Sequence, residues 1–264
     1  MKVDTLRRAA WVAWKTALQH RRDPWTLALT LGTAPALVGL YAFFFGTAPP
    51  TPSASPSPNL LPSFHTHVPN LIVFSALMLV FSSSMRMARE LEAGTLERLR
   101  MTPLRPWEWM LGVSLVELCL GVLTTALTLG AAAALGFEPR GAWAWVLAIN
   151  ALGGLACIGA GMGVASLTRG TQQAFVTSSV VMFLWMLFSG VVFPVPSVEW
   201  VSLGAYKLGP LDLLPTTHAG RALRKVLYEG SGLAQLWPDL LWLLGLSGAL
   251  FLAGALRLGR LHRT

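Results

Sequence analysis

Charged side chains are scarce in this chain of 264 residues, because Asp, Glu, Lys and Arg together make up only 12% of it. Water-soluble domains carry about a quarter charged residues, so the composition excludes an ordinary soluble globule. Cysteine occurs twice, at Cys119 and Cys157, and both lie inside apolar blocks. Neither a disulfide framework nor a metal site is therefore expected. No motif recurs at a fixed period, which excludes solenoid and collagen-like folds.

The sequence instead contains long runs of apolar residues, and 54% of its residues are hydrophobic. A helix needs about 20 consecutive, mostly apolar residues to cross a bilayer. Six blocks meet this length and predict six transmembrane helices, at residues 25–46, 69–88, 109–137, 142–167, 173–193 and 237–256. We therefore expect an all-α membrane protein that forms a single domain over residues 1–264.

The basic residues predict the orientation of these spans. With the N-terminus in the cytoplasm, fifteen of the twenty Lys and Arg residues fall on the cytoplasmic side. The positive-inside rule therefore predicts that both termini are cytoplasmic. Residues 1–22 combine basic side chains with Trp11 and Trp14, which is typical of an amphipathic helix lying on the membrane surface. The alternative for this segment is a solvated arm ahead of the first span.

The outer segment 194–236 is neither a plain loop nor a span. Residues 197–203 could form a short helix, and a second helix is predicted over residues 218–228. Thr216 or the threonine after it could cap this second helix, and Gly230 would end it. Its mixture of apolar and basic residues predicts a re-entrant piece that enters the outer leaflet and is covered by protein.

Residues 89–106 connect the second and third spans on the predicted cytoplasmic side. The sequence predicts a break at Gly94, followed by a short helix that Thr95 could cap. Glu97 would be favourable at the positive end of this helix, and Pro103 would interrupt the backbone again. A short, charged helix below a membrane bundle is suited to docking a soluble partner, and the alternative is a solvated turn.

Two motifs resemble a known family. The connection resembles the cytoplasmic loop of ABC-2 type ABC transporter permeases in Glu90-x-Glu92-x-Gly94-Thr95-Leu96-Glu97, then Thr102-Pro103 and Gly112. The family's re-entrant stretch between the fifth and sixth spans is similar to Ser189-Gly190-Val191-Val192-Phe193-Pro194, then Pro210 and Ala219-Gly220-Arg221. One departure is Val113, where many relatives carry Lys.

The resemblance implies a permease subunit of an ATP-driven exporter in the bacterial cytoplasmic (inner) membrane. Its expected partners are a cytoplasmic ABC ATPase, a second permease copy and membrane lipid, with no nucleic acid. ATP would bind to the ATPase, so no cofactor is expected here, and the sequence has no G-x-x-x-x-G-K-[ST] loop. The resemblance also implies that the cargo is amphipathic, such as a drug, a lipid or a lipid-linked glycan.

The resemblance also assigns roles to particular residues. The residues implied in coupling to the ATPase are Glu90, Glu92, Gly94, Thr95, Leu96, Glu97 and Pro103. Those implied in an outer re-entrant gate are Gly190, Pro194, Pro210 and Arg221. The fifth span would line the translocation path if it faces the dimer axis, through Phe183, Trp185, Met186, Phe188 and Phe193. The alternative for this last set is lipid contact or core packing.

Polar and small residues inside the spans add two expectations. Glu117 lies within the third span, where a carboxylate costs about 3 kcal/mol on insertion scales. It is either a pathway residue or a carboxylate hydrogen-bonded to a neighbouring helix, with Asn150 a candidate partner. In the fourth span, the small residues Gly159, Gly161 and Gly163 are expected to let neighbouring helices approach closely.

Two functions from other classes remain open at this point. The first is an ion-coupled secondary transporter that works through Glu117, which predicts inverted internal repeats that the sequence does not show. The second is a non-transporting membrane anchor subunit for a soluble complex.

Overall fold

The structure of the chain, a computed structural model, describes residues 2–47, 64–95, 98, 101–102, 104–189, 201–203 and 206–261. Eight α-helices lie within these residues. They are α1 (Lys2–Arg22), α2 (Pro24–Phe45), α3 (Val68–Glu92), α4 (Pro106–Ala134), α5 (Trp143–Ala165), α6 (Thr171–Phe188), α7 (Pro215–Arg224) and α8 (Leu233–Leu261). A short 3-10 helix, Phe64–His67, precedes α3, and a second one, Pro210–Leu213, precedes α7.

Six of these helices, α2 to α6 and α8, are long and apolar enough to cross a membrane. The chain is therefore a multi-pass membrane protein, and the six predicted spans are confirmed. The sixth begins at Leu233, earlier than the sequence predicted, so Pro238 lies inside α8 and does not start it. We call the end of the bundle that holds α1, the end of α3 and the beginning of α4 the basal end, and we call the predicted connection 89–106 between these two helices the basal connection. The opposite end, which holds α7, is the distal end.

Local sequence signals account for several helix ends. The Asp23 carboxylate caps α2 by accepting the Thr26 N–H at 3.1 Å, and Pro24 follows at the first helical position. Here the side chain satisfies a free N–H of the first turn, and proline costs no hydrogen bond at that position. Pro106 begins α4 in the same manner, as the sequence predicted.

Helix α1 packs against the beginning of α4. Its residues Val12 and Thr16 are buried, whereas Trp11 and Trp14 are 64% and 62% exposed. The contact requires Gly112 of α4, because a Cβ there would lie 2.6 Å from the Val12 Cβ. The exposed tryptophans remain available to a membrane surface, as expected for an interfacial helix.

Helix α5 is the packed centre of the bundle, and two of its glycines explain why. A Cβ on Gly159 would lie 2.7 Å from the backbone of Phe251 in α8. A Cβ on Gly161 would overlap the Val80 carbonyl oxygen and the Ser83 hydroxyl of α3. The small-residue motif therefore packs α5 against two helices at once, as the sequence predicted. Gly163 has open space at its Cβ position.

Replacing Gly161 with alanine should destabilise the protein by about 1–3 kcal/mol, because the added methyl group must push α3 and α5 apart. The expected result is a lower midpoint of thermal unfolding in detergent. Gly163→Ala is the matched control on the same helix and should leave the midpoint unchanged or slightly raised. Equal effects of the two substitutions would contradict the packing described above.

The segment after α6 adds one short β-hairpin to the helical structure of the described residues. The sequence predicted a short helix over residues 197–203, but Val201–Leu203 forms a β-strand, β1, that pairs antiparallel with β2, Tyr206–Leu208, and residues 197–200 lie outside the described residues. Val and Tyr are enriched in strands, which suits this pairing. The rest of the described secondary structure is helical.

The predicted second helix of this segment exists with a different start. Its N-cap residue is Leu214, with Pro215 at the first helical position, so neither Thr216 nor its neighbour caps it. A π-helical turn, Lys225–Glu229, extends α7, and Gly230 ends it with φ +66°, as the glycine predicted. Helix α7 is largely buried against the distal parts of α3, α5 and α8.

Candidate functional site

The basal connection leaves α3 through a left-handed glycine. Gly94 has φ +66°, and its carbonyl accepts the Arg98 N–H at 3.2 Å, which is the first helical hydrogen bond after the break. The predicted break is therefore confirmed. The Thr95 hydroxyl donates to the Glu90 carboxylate at 2.6 Å, and its capping of the following helix stays a prediction. Leu96, Glu97 and Pro103 lie outside the described residues.

Two glutamates at the end of α3 connect it to two different helices. Glu90 lies 3.9 Å from the Lys15 ammonium of α1. Glu92 accepts the backbone N–H of Thr171, the first residue of α6, at 2.7 Å, and it also accepts the Thr171 hydroxyl. It therefore caps the positive N-terminus of α6 from another helix. A Cβ on Gly170 would lie 2.7 Å from Glu92 Oε1, so glycine keeps this approach open.

A cavity of about 830 Å³ extends from the basal connection into the bundle. Its walls come from α1, α2, α3 and α4, with Phe175 of α6 at one side. Glu90 and Thr95 of the connection line its basal end, and Glu117 lines its wall. Its volume lies within the range of cavities that hold drug-sized ligands. The structure thus brings the predicted connection and the membrane carboxylate to one site.

Glu117 is the best-buried carboxylate of this site, with its side chain 1% exposed. It accepts Arg86 Nε at 2.5 Å and the Ser82 hydroxyl at 2.9 Å, both from α3. The interpretation of Glu117 as a carboxylate bonded to a neighbouring helix therefore holds. The suggested partner was wrong, because Asn150 donates to Ser75 at 3.0 Å and also to Thr125.

His20 of α1 completes this cluster. Its Nδ1 lies 3.0 Å from the Thr16 carbonyl oxygen, and its Nε2 contacts an Arg86 guanidinium nitrogen. Since a guanidinium can only donate, Nε2 accepts and Nδ1–H donates, which defines a neutral imidazole. Burial, followed by the positive charge of Arg86, lowers the pKa of His20 below its usual 6.5. The contact between His20 and Arg86, which ties α1 to the Arg86–Glu117 pair, therefore requires an uncharged His20.

Acidification should loosen the His20 cluster. Below pH 6.5 His20 is protonated more readily in the unfolded chain than in the folded chain. The free energy of unfolding therefore falls as pH decreases through this range. The groups facing His20 are Arg86, Glu117 and Asp23. We expect His20→Gln to reduce the drop in thermal unfolding midpoint between about pH 7 and 5.5. An identical drop in parent and variant would contradict this assignment.

The aromatic residues predicted to line the path lie on two sides of α6. Phe183 and Phe188 are 52% and 49% exposed, whereas Trp185 and Met186 are half-buried against the core. None of these four lines the cavity, to which α6 contributes Phe175 instead. Sequence reasoning missed Phe175, and also His20 and Arg86, because only the packing of distant helices brings them to the cavity. Phe193 lies outside the described residues.

A second cluster of charges ties the distal segment to α8. Arg221 lies 2.6 Å from Asp212 and 3.6 Å from Asp239, and Lys225 Nζ lies 2.7 Å from Asp239. Asp239 is fully buried on α8, and His218 of α7 also contacts it. The sequence pointed to Arg221 but missed Asp239. The feature that could have indicated Asp239 is its position as a carboxylate at the start of an apolar span. Among the other predicted gate residues, Pro210 begins its 3-10 helix. Gly190 and Pro194 are not among the described residues.

Comparisons with known proteins agree with this architecture. The profile of the ABC-2 type transporter family matches residues 8–228. The chain therefore belongs to the ABC-2 type transporter family. It is 26% identical over 203 residues to the inner membrane transport permease YhhJ of Escherichia coli K12, which covers 76% of this chain and 53% of that protein.

A further relative is the probable multidrug ABC transporter permease YbhR of Escherichia coli K12. It is 30% identical over 133 residues, which is 50% of this chain and 36% of that protein. The chain thus spans about half, or less, of the length of these curated relatives.

Proposed function

We propose that the chain is the membrane-spanning permease subunit of an ATP-driven ABC exporter in the bacterial inner membrane, with both termini in the cytoplasm. The observation that carries this proposal is the position of the basal connection. It adjoins the cavity, and through Glu90 and Glu92 it contacts two helices that belong to the cavity walls. A partner that displaces this connection would change the cavity.

The partner in this proposal is a separate cytoplasmic ABC ATPase, which binds and hydrolyses ATP. It docks on the basal connection, whose contact residues include Glu90, Glu92, Gly94 and Thr95, together with Leu96, Glu97 and Pro103 by resemblance. Closure of the ATPase favours one conformation of the connection, and cargo favours another. Coupling of this kind requires each ligand to prefer a different global state.

A second copy of the permease is part of the proposal. Within the apolar stretch of each span, only 17% of the residues are buried in α2 and 11% in α6, whereas 67% are buried in α3. These two helices flank the cavity through Thr30 and Phe175, so a second copy on the same side would enclose the path. Phe183 and Phe188 would then face the dimer axis, and lipid would cover the remaining apolar surface.

The cargo and the outer gate complete the proposal. The cargo is amphipathic, and the name of the relative YbhR as a multidrug permease supports a drug. Lipids and lipid-linked glycans belong to the same chemical class. The distal segment acts as the outer re-entrant gate through Pro210 and Arg221, with Gly190 and Pro194, and its salt bridges to Asp239 hold it closed.

Site-directed photocrosslinking tests the coupling proposal. The chain is co-expressed with a candidate cytoplasmic ABC ATPase and carries a benzoylphenylalanine at Met101, which is 90% exposed at the basal end. A crosslink to the ATPase is expected, with a yield that changes when vanadate traps the ATPase. The same probe at Glu138, exposed at the distal end, serves as the control. Equal labelling at both positions, or none at Met101, would overturn the proposal.

A further inference from the structure

The inner part of the cavity wall is apolar despite its many hydroxyl groups. The α2 threonines turn their hydroxyls to their own helix, Thr30 to the Thr26 carbonyl at 2.8 Å and Thr33 to the Leu29 carbonyl at 2.5 Å. Thr124 of α4 does the same with Leu120 at 2.9 Å. These hydroxyls are therefore already bonded, and Leu29, Met78 and Phe175 supply apolar side chains to the same wall. This part would contact a ligand through apolar surface.

Every carboxylate that lines the cavity is already engaged. Glu117 accepts from Arg86 and Ser82, and Glu90 accepts the Thr95 hydroxyl at 2.6 Å. Asp23 accepts the N–H of Thr26 at 3.1 Å and its hydroxyl at 2.6 Å. At Glu117 a cationic ligand would have to displace the buried partner Arg86, which is costly.

Two arginines at the basal mouth of the cavity form no ion pair with a carboxylate among the described residues. Arg89 and Arg98 both line the mouth, and both are exposed. Within the part of the chain that the structure describes, no carboxylate forms an ion pair with either of them. The charge of Arg89 does contribute to lowering the pKa of Asp23 at longer range. Guanidinium groups bind phosphate and carboxylate through paired hydrogen bonds.

We infer that the cavity binds an amphipathic molecule whose polar end is an anion, phosphate or carboxylate, held at the mouth by Arg89 and Arg98. The apolar part then lies inward along α3. The lining residues from Ser75 to Glu90 span about 22 Å of that helix, at 1.5 Å per residue. This inference rests on the proposed exporter function and specifies the charge of its cargo.

Competition binding tests the inference on the full-length chain in phosphatidylcholine nanodiscs. The probe is radiolabelled dodecyl phosphate, and the competitor is dodecyltrimethylammonium, which has the same tail and the opposite charge. We expect the anion to bind about tenfold more tightly, which corresponds to about 1.4 kcal/mol. The double substitution Arg89→Gln and Arg98→Gln should remove this preference. The matched control, Arg169→Gln with Arg257→Gln, removes two exposed basal charges outside the cavity and should retain it.

A cationic preference, or an anionic preference that survives the Arg89 and Arg98 substitutions, would overturn the inference. A second arm adds phosphatidic acid to the nanodisc bilayer. Displacement of the probe identifies a lipid phosphate as the source of the anion, and retention identifies a water-soluble amphipath. Both of these results require the anionic site. Failure of the exporter proposal is separately visible, because it would abolish the Met101 crosslink to the ATPase whatever the charge preference.

Discussion

Glu92→Ala should reduce transport and cargo-stimulated ATP turnover at least tenfold while leaving the protein folded. The carboxylate accepts both the N–H and the hydroxyl of Thr171, so its removal frees the N-terminus of α6 from the end of α3. Movement of the basal connection would then reach α6 only through the remaining packing, such as the Phe81–Phe175 ring contact. The measurement is ATP hydrolysis and cargo uptake in proteoliposomes that contain the permease and its ATPase.

The control for this prediction is Glu138→Ala, which removes an exposed carboxylate at the distal end. It should leave both activities within about twofold of the parent. Glu92→Gln keeps one acceptor oxygen and should retain part of the coupling, because an amide still accepts the Thr171 N–H but without the charge. Full activity of Glu92→Ala would contradict the link between α3 and α6.

Arg86→Leu should destabilise the protein by about 3–5 kcal/mol, because it leaves the buried carboxylate of Glu117 without its cation. The expected result is a large drop in the midpoint of thermal unfolding in detergent. The double substitution Arg86→Leu with Glu117→Leu should recover much of the loss, since an apolar pair can replace a buried ion pair. If the double variant unfolds as readily as Arg86→Leu, the destabilisation does not come from an unpaired carboxylate.

Transport by Glu117→Gln separates the exporter from the ion-coupled alternative. The amide keeps hydrogen-bonding capacity toward Ser82 and Arg86 but cannot carry a proton. An exporter driven by an ATPase should keep most of its activity in this variant and lose it with Glu92→Ala. A proton-coupled carrier should show the opposite pattern. The anchor alternative predicts that no cargo stimulates the ATPase at all.

The six spans could be predicted from the sequence because a long apolar run is a property of neighbouring residues. The same holds for the helix ends at Asp23, Pro106 and Gly230, where one local residue type decides the backbone. Pro238 was misjudged because proline is tolerated in a helix interior that neighbouring helices support, and α8 begins before it. The hairpin was missed because strand pairing adds a partner that the segment itself does not specify.

The functional cluster could be predicted only in part. The glutamates of the basal connection were found because they form a motif within eight residues. The partner of Glu92 was not found, since Thr171 lies 79 positions away. The partner of the membrane carboxylate Glu117 was missed for the same reason, because Arg86 lies 31 positions away. Asn150 was chosen as a polar residue in a neighbouring span, but helix rotation directs it to Ser75. Such pairings depend on tertiary packing and leave no local pattern.

The spacing of the two glutamates on α3 has a mechanical consequence. Glu90 and Glu92 are two positions apart, which in an α-helix rotates their side chains by about 200° relative to each other. One therefore contacts α1 while the other contacts α6 on the opposite side. A tilt of the end of α3 toward α6 draws Glu90 away from its partner while pressing Glu92 closer, and the reverse tilt does the opposite. A small lateral force applied below the membrane would therefore favour one of the two contacts over the other.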